Sequence, residues 1–184
     1  MALMQPPACD FGAKAIDFNL LGTDGDMWSL EKARGENGTL IMFICNHCPY
    51  VKAIQSLLVR DTTELLSHGI NSIAIMPNDI ASFPEDSYEN MQRIAIDMNY
   101  SFPYLLDETQ DISKAYGAIC TPDFFGYNAD LELQYRGRLD ETTPSNTNSE
   151  AERDMFEAMK QIAKTGIGPN QQFSSMGCSI KWKE

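Results

Sequence analysis

Two cysteines, in the string Cys45-Asn46-His47-Cys48-Pro49, fall where the apolar run 40–44 stops and a helix-patterned stretch, 51–68, begins. That placement puts two thiols one turn apart, at the end of a buried strand and the start of a helix. The first unpaired amides of a helix, with the positive end of its dipole, favour an anion, so a thiolate there has a lowered pKa. A low-pKa thiol beside a second thiol is a redox device. The competing reading is half of a zinc site, which needs a matching second pair of ligands. The chain contains no second CxxC, CxxH or HxxxH.

Composition narrows the setting of that chemistry. With 184 residues, 43% of them hydrophobic, the chain suits one compact domain, residues 1–184, with a substantial core. Its 26 acidic against 14 basic residues give a net charge of −12. That balance argues against a nucleic-acid partner and shows no basic stripe for an anionic membrane surface. The N-terminus lacks a charged segment followed by an apolar core, and no apolar run approaches the ~18 residues of a membrane span. The expected location is cytoplasmic. Five cysteines, at 9, 45, 48, 120 and 178, are an odd number without framework spacing, which fits reduced thiols better than a stapled secreted scaffold.

The elements that must position the thiols can be read in order. Residues 1–14 are an N-terminal extension in which Pro-rich surroundings of Cys9 predict disorder. A hairpin is expected from the alternating stretch 15–20, the turn chemistry of 22–26 and the strand 27–30. The central strand, 39–44, is continuously apolar and so buried on both faces. The helix after it has Val51, Ile54, Leu57, Leu58, Leu65 and Leu66 at near-helical spacing and Gly69 as its stop. A strand over 70–76 completes a parallel strand–helix–strand unit, which places the thiols at a carboxyl end of the sheet.

Beyond this unit, Asp86 or Ser87 can cap a helix facing inward through Met91, Ile94, Ala95 and Met98. Residues 102–106 read as a short edge strand, because Pro103 cannot donate to a ladder. A short helix over 111–116 ends at Gly117. The stretches 123–127 and 131–135 flank a turn and predict an antiparallel hairpin, so the sheet is mixed. Residues 140–149 form a polar, mobile loop. Ser149 and Glu152 then make a capping-box pattern for a last helix that ends at Gly166, followed by the tail 167–184.

Several strings resemble the thioredoxin-fold superfamily, in its peroxiredoxin-like branch of alkyl hydroperoxide reductases and thiol-specific antioxidants. They are Phe18-Asn19-Leu20 with Gly25 and Ser29-Leu30, the strand ending in the CxxC and Pro49, Phe102-Pro103 with Leu106-Asp107, Ala115-Tyr116-Gly117, and Thr121-Pro122. These cover about 15–139, and the ending Gly177-Cys178-Ser179-Ile180-Lys181-Trp182-Lys183 extends the likeness to nearly the whole chain. The resemblance implies an α/β fold, a thioredoxin-like three-layer sandwich whose mixed central sheet is flanked by helices, with an N-terminal hairpin and a C-terminal tail. It also implies that Thr121-Pro122 is a cis bond facing the sulfurs, with Thr121 presenting backbone groups to a substrate's cysteine.

Two chemistries compete within the resemblance. In peroxiredoxins the reactive cysteine follows a Pro-x-x-x-Thr-x-x-Cys pattern, and Cys48-Pro49 matches its Cys-Pro. Cys45 then stands in place of the threonine and Ile41 in place of the proline. The family's later arginine is also missing, with Arg136 and Arg138 as the nearest substitutes. Similarity to thioredoxin implies instead that Cys45 is an exposed attacking thiol and Cys48 the buried resolving one. His47 resembles the residue found in disulfide isomerases and oxidases. An imidazole there lowers the Cys45 pKa and stabilises the reduced form. The expected potential lies between ~−270 mV and ~−180 mV. No tryptophan precedes Cys45, and no acidic residue lies between Gly38 and Cys45 to accept a proton, which leaves Asp123 or water for that role.

The remaining candidates carry less. Cys120 reads as a small buried residue, and Cys178, anchored by Ile180 and Trp182, as either a packed thiol or an additional resolving thiol. His68 suits a helix C-terminus, Trp28 packs the hairpin, and Lys52 is solvated. The expected function is a thiol-disulfide oxidoreductase acting on a disulfide-containing protein or small thiol, recycled by a thiol reductant, with no cofactor. The alternatives are a weak thiol peroxidase using Cys48 or Cys45, and a non-enzymatic redox sensor or metal-binding module.

Overall fold

The computed structural model describes residues 3–4, 9–148 and 151–183. Its elements, in chain order, are β1 (Leu3–Met4), β2 (Asn19–Gly22), β3 (Met27–Ser29), α1 (Leu30–Ala33), β4 (Gly38–Phe43), α2 (Pro49–Leu66), β5 (Ile70–Met76), α3 (Tyr88–Asp97), β6 (Tyr104–Leu106), α4 (Asp111–Ala115), β7 (Cys120–Thr121), β8 (Asp123–Asn128), β9 (Leu133–Gly137), α5 (Asp154–Thr165) and β10 (Gly177–Ser179). A single 3₁₀ turn, Pro84–Asp86, precedes α3. Seven strands form the main sheet in the order β3-β2-β6-β5-β4-β8-β9, and β1, β10 and β7 form a small second one. Strand β4 runs parallel to β5 and antiparallel to β8, so the sheet is mixed as expected.

Strand β4 shows why the sheet needs helices on both sides. All six of its residues are buried. Leu40 and Met42 join the cluster formed with Val51, Ile54 and Leu58 of α2, Met91 of α3, and Met155 and Phe156 of α5. Ile41 and Phe43 point the other way, into a cluster with Leu30, Ala33, Tyr116 and the tail residue Ile180. The period of two in a strand divides one apolar run between two cores, which gives the three-layer sandwich. Gly69 ends the helix region with φ +73°, where an added Cβ would also meet the Asn37 side chain at 2.5 Å.

Several expectations need correction. Strand β6 is internal, flanked by β5 and β2, because the N-terminal hairpin adds itself to that side. Pro103 sits just before β6 and its carbonyl still accepts from the Ala74 amide at 2.9 Å, so the missing donor costs no ladder bond. The hairpin begins at Asn19 rather than at 15, and Ser29 leaves β3 to cap α1, accepting from the Lys32 amide at 3.2 Å. Ser87, not Asp86, caps α3.

Residues 140–148 form a loop that is exposed from 144 onward. Asp140 and Thr142 are buried, and the Thr142 amide donates to Asp140 at 2.7 Å. Ser149 of the expected capping box lies outside the described residues, and α5 starts only at Asp154, with Arg153 as its N-cap. Cys9 packs, half-buried, against the cluster around Phe43. Among the described residues, no helix is long and apolar enough to cross a membrane.

The fully buried Leu58 joins α2 to the core. Leu58→Ala should therefore cost ~2–5 kcal/mol. In urea the midpoint should fall with an unchanged m-value, and a loss under ~1 kcal/mol would contradict this packing account.

Candidate active site

The thiols are placed by three pieces of backbone. Beyond β4, the Ile44 amide still donates to the Ile75 carbonyl at 3.1 Å, which carries the chain in register up to Cys45. Cys48 is the N-cap of the 18-residue α2, with Pro49 in the first helical position, where a missing amide hydrogen costs nothing. The Thr121–Pro122 bond is cis, as the resemblance implied, and turns Thr121 onto both sulfurs. Cys45 Sγ lies 3.3 Å from Thr121 Oγ1, and Cys48 Sγ lies 3.2 Å from the Thr121 carbonyl oxygen. The tail adds a third sulfur, with Cys178 Sγ at 2.9 Å from Cys48 Sγ.

Exposure and charge revise the roles read from sequence. Cys45 is only 2% exposed and Cys48 is fully buried, so Cys45 is not an exposed thiol. Of the two, Cys48 is the thiol whose pKa is lowered, and in its protonated form it donates to the Thr121 carbonyl. A hydrogen bond from Cys45 brings its pKa down to about 5, and the Cys178 thiol, the Val51 amide in the first turn of α2 and the Cys178 amide add to this against the cost of burial. The same shared hydrogen, burial and the nearby Asp86 push Cys45 well up. His47 therefore does not leave Cys45 acidic. Burial first, and then the Cys48 sulfur, push Cys178 up to about 12.

Asp86 is the site residue that sequence reading missed. It is completely buried and holds the 45–48 loop from below: Oδ1 accepts from the Asn46 amide at 2.8 Å and the His47 amide at 3.3 Å. Its Oδ2 lies 2.7 Å from His47 Nδ1 and accepts from Asn78 Nδ2 at 2.7 Å. The His47 ring stacks on Phe83, with centroids 5.7 Å apart. In the sequence Asp86 looked like a helix cap, and nothing local to it points across to residue 46.

The other acid considered, Asp123, is engaged elsewhere. Its Oδ2 accepts from Arg136 at 3.0 Å and its Oδ1 from Ser175 at 2.7 Å, so it is held away from proton transfer at the sulfurs. Arg136 is thereby committed, and Arg138 pairs with Asp154 at 2.7 Å, so neither substitutes for a peroxidase arginine. Cys120 is buried beside the proline loop with its thiol directed to the Pro122 carbonyl at 3.8 Å, and burial pushes its pKa up. Thr121 has its backbone paired with Cys178 of β10, so the edge expected to receive a substrate cysteine is occupied by the protein's own tail.

Cys45 Sγ, a His47 ring nitrogen and an Asp86 oxygen lie within 4.8 Å of one another, and these are donor types for a transition metal. Asp86 already serves four donors and His47 Nδ1 faces Asp86, so a metal would have to displace the bonds that hold the loop.

The lowered pKa of Cys48 predicts a thiolate that forms well below the ordinary thiol range, at about pH 5. Ultraviolet titration of thiolate absorbance should show one group with that midpoint in the native protein and none in Cys48→Ser. In Cys45→Ala the midpoint should rise, because the largest stabilising hydrogen bond is gone. A midpoint that survives Cys48→Ser would place the anion elsewhere.

A family model described as "AhpC/TSA family" matches residues 11–142. An uncharacterised conserved protein from Geobacillus kaustophilus is 42% identical, with a TM-score of 0.94 over 100% of this chain and 97% of that one. A hypothetical protein from Sinorhizobium meliloti 1021 is 34% identical, with a TM-score of 0.93 over 97% of this chain and 98% of that one. The thioredoxin domain of a thiol-disulfide oxidoreductase from Bacteroides vulgatus shares the fold at 12% identity, with a TM-score of 0.65 over 85% of this chain and 99% of that one. Comparison with the curated proteins gives no match. The fold is thioredoxin-like, and with 132 of its residues, 11–142, matched by the family model, the chain belongs to the AhpC/TSA family.

Proposed function

We propose that this protein is a thiol-disulfide oxidoreductase whose working couple is Cys45 and Cys48. The observation that carries the reading is the placement of both sulfurs against Thr121 at the cis-proline turn, Cys45 Sγ 3.3 Å from its hydroxyl and Cys48 Sγ 3.2 Å from its carbonyl oxygen, with Cys48 the more acidic of the two. As Cys45 Sγ attacks one sulfur of a substrate disulfide, its proton passes to the Cys48 thiolate, and the departing sulfur then takes that proton. The Cys48 thiolate next attacks Cys45 Sγ, which closes the 45–48 disulfide and expels the second substrate thiol. Two electrons pass from the dithiol to the substrate. Thr121 holds both sulfurs at the cis-proline turn, and Asp86 and His47 fix the loop. A thiol reductant restores the pair, and a cytoplasmic setting fits that need.

Cys48 also supports a second reading. Its thiolate precedes Pro49 and is wholly buried, which suits a small oxidant such as a peroxide. Attack on the peroxide would give a Cys48 sulfenic acid and release water or an alcohol, and Cys45 would condense with it to the same disulfide, losing a second water. The commitment of Arg136 and Arg138 to Asp123 and Asp154 ranks this reading second.

Steady-state assays with glutathione disulfide and hydrogen peroxide separate the two. Disulfide reduction should be lost by roughly 10³-fold or more in both Cys45→Ser and Cys48→Ser. Peroxide consumption that exceeds disulfide reduction and survives a single turnover in Cys45→Ser would reverse the ranking. Equilibration with glutathione should place the potential above the ~−270 mV of thioredoxin, because a stabilised thiolate favours the dithiol form.

A further inference from the structure

The tail strand β10 is held in place more firmly than a chain end needs to be. Cys178 and Ser179 pair antiparallel with Thr121 and Cys120. Gly177 lies so close to the cis-proline turn that an added Cβ would run into the Thr121 carbonyl oxygen. Beyond the strand, Ile180 is buried in the core and its amide donates to the Ile119 carbonyl at 3.0 Å. The Lys181 amide donates to Asn78 at 2.9 Å, its carbonyl accepts from Gln110 at 2.8 Å, and the Lys183 amide returns to Gln110 at 2.8 Å. Asn78 also donates to Asp86, which links the tail to the CxxC loop.

What this clamp delivers is a sulfur. Cys178 Sγ stands 2.9 Å from Cys48 Sγ, within an ångström of the ~2.05 Å of a formed disulfide. Cys48 therefore has two thiol partners, Cys45 and Cys178. The tail fills the edge of β7 beside the cis-proline, the position at which an extended substrate strand would add.

We propose that Cys178 is a third redox thiol, to which Cys48 passes its half of the 45–48 disulfide. The Cys178 thiolate attacks Cys48 Sγ, the Cys45–Cys48 bond breaks and the Cys48–Cys178 bond forms. Cys45 leaves as a thiolate and takes up the proton that Cys178 gave away. The step is an isomerisation and needs no outside oxidant or reductant. Once Cys48 is in a disulfide it carries no negative charge, so one of the influences that hold Cys178 protonated is removed. The transfer frees Cys45 and moves the disulfide from the helix N-terminus to the tail strand. This inference rests on the exchange reading for the source of the disulfide, whereas the existence of the Cys48–Cys178 bridge is testable without it.

The test maps bridges in the full-length chain. Cys45→Ser is given one equivalent of oxidised glutathione, free thiols are alkylated, and peptides are identified by mass spectrometry. A Cys48–Cys178 bridge as the major product, with two glutathione molecules released, is the expected result. Cys48 left as a stable glutathione adduct beside an alkylatable Cys178 would overturn the proposal. In the wild-type protein both bridges should appear, and Cys178→Ser should close Cys45–Cys48 alone. A wild-type protein that shows only Cys45–Cys48 at every glutathione ratio would also overturn it while leaving the exchange reading intact. Failure of the wild type to close Cys45–Cys48, with Cys48–Cys178 formed in Cys45→Ser, would count against the exchange reading and against transfer from it. Cys45→Ala, checked for native circular dichroism, repeats the mapping where the serine variant does not fold.

Discussion

Two thiols held together in a dry interior are the condition around which this molecule is arranged. Cys48 is fully buried, so water cannot serve its sulfur, and the protein has to supply the polar partners that lower its pKa. They come from separate parts of the chain: a thiol one turn earlier, an amide at the head of α2, and the thiol and amide of a residue 130 positions later. Each donor requires its own support. The helix must start at Pro49, the loop must be held at Asp86, and the tail must lie along β7.

That requirement explains features which otherwise look unrelated. The cis-proline turn brings the Thr121 hydroxyl to one sulfur and its carbonyl to the other, so a single residue orients the pair. The buried Asp86 carboxylate is satisfied by two backbone amides and two side chains, which makes it a rigid anchor for the loop that carries Cys45. It also keeps that side of the site electronegative. Cys45 is held protonated for this reason among others, and the proton it retains is the one that stabilises Cys48.

Most of the scaffold was legible because it is written in local or periodic signals. The apolar run before Cys45, the spacing of Val51, Ile54 and Leu58, and the stop at Gly69 predict β4, α2 and their connection, and the structure agrees within a residue or two. The errors fall where partner choice decides the outcome. Strand β6 looked like an edge because Pro103 suggests one, yet whether a strand is internal depends on which segment comes to lie beside it.

The sequence by itself determined the strand–helix junction that carries Cys45 and Cys48, with a proline behind them, and the Thr121-Pro122 dipeptide marks the turn that faces them. Only the tertiary structure decided how the two thiols differ and which residues hold them. Local sequence placed the helix dipole near both cysteines alike. The distinction comes first from the hydrogen bond the two share, and then from Asp86 beside Cys45 and Cys178 beside Cys48, contacts spanning 40 and 130 positions in the case of the Asn46 amide and the Cys48 thiol. A pKa is set by the sum of charges, donors and burial around an atom, and for a buried atom most of that sum is contributed by residues remote in sequence.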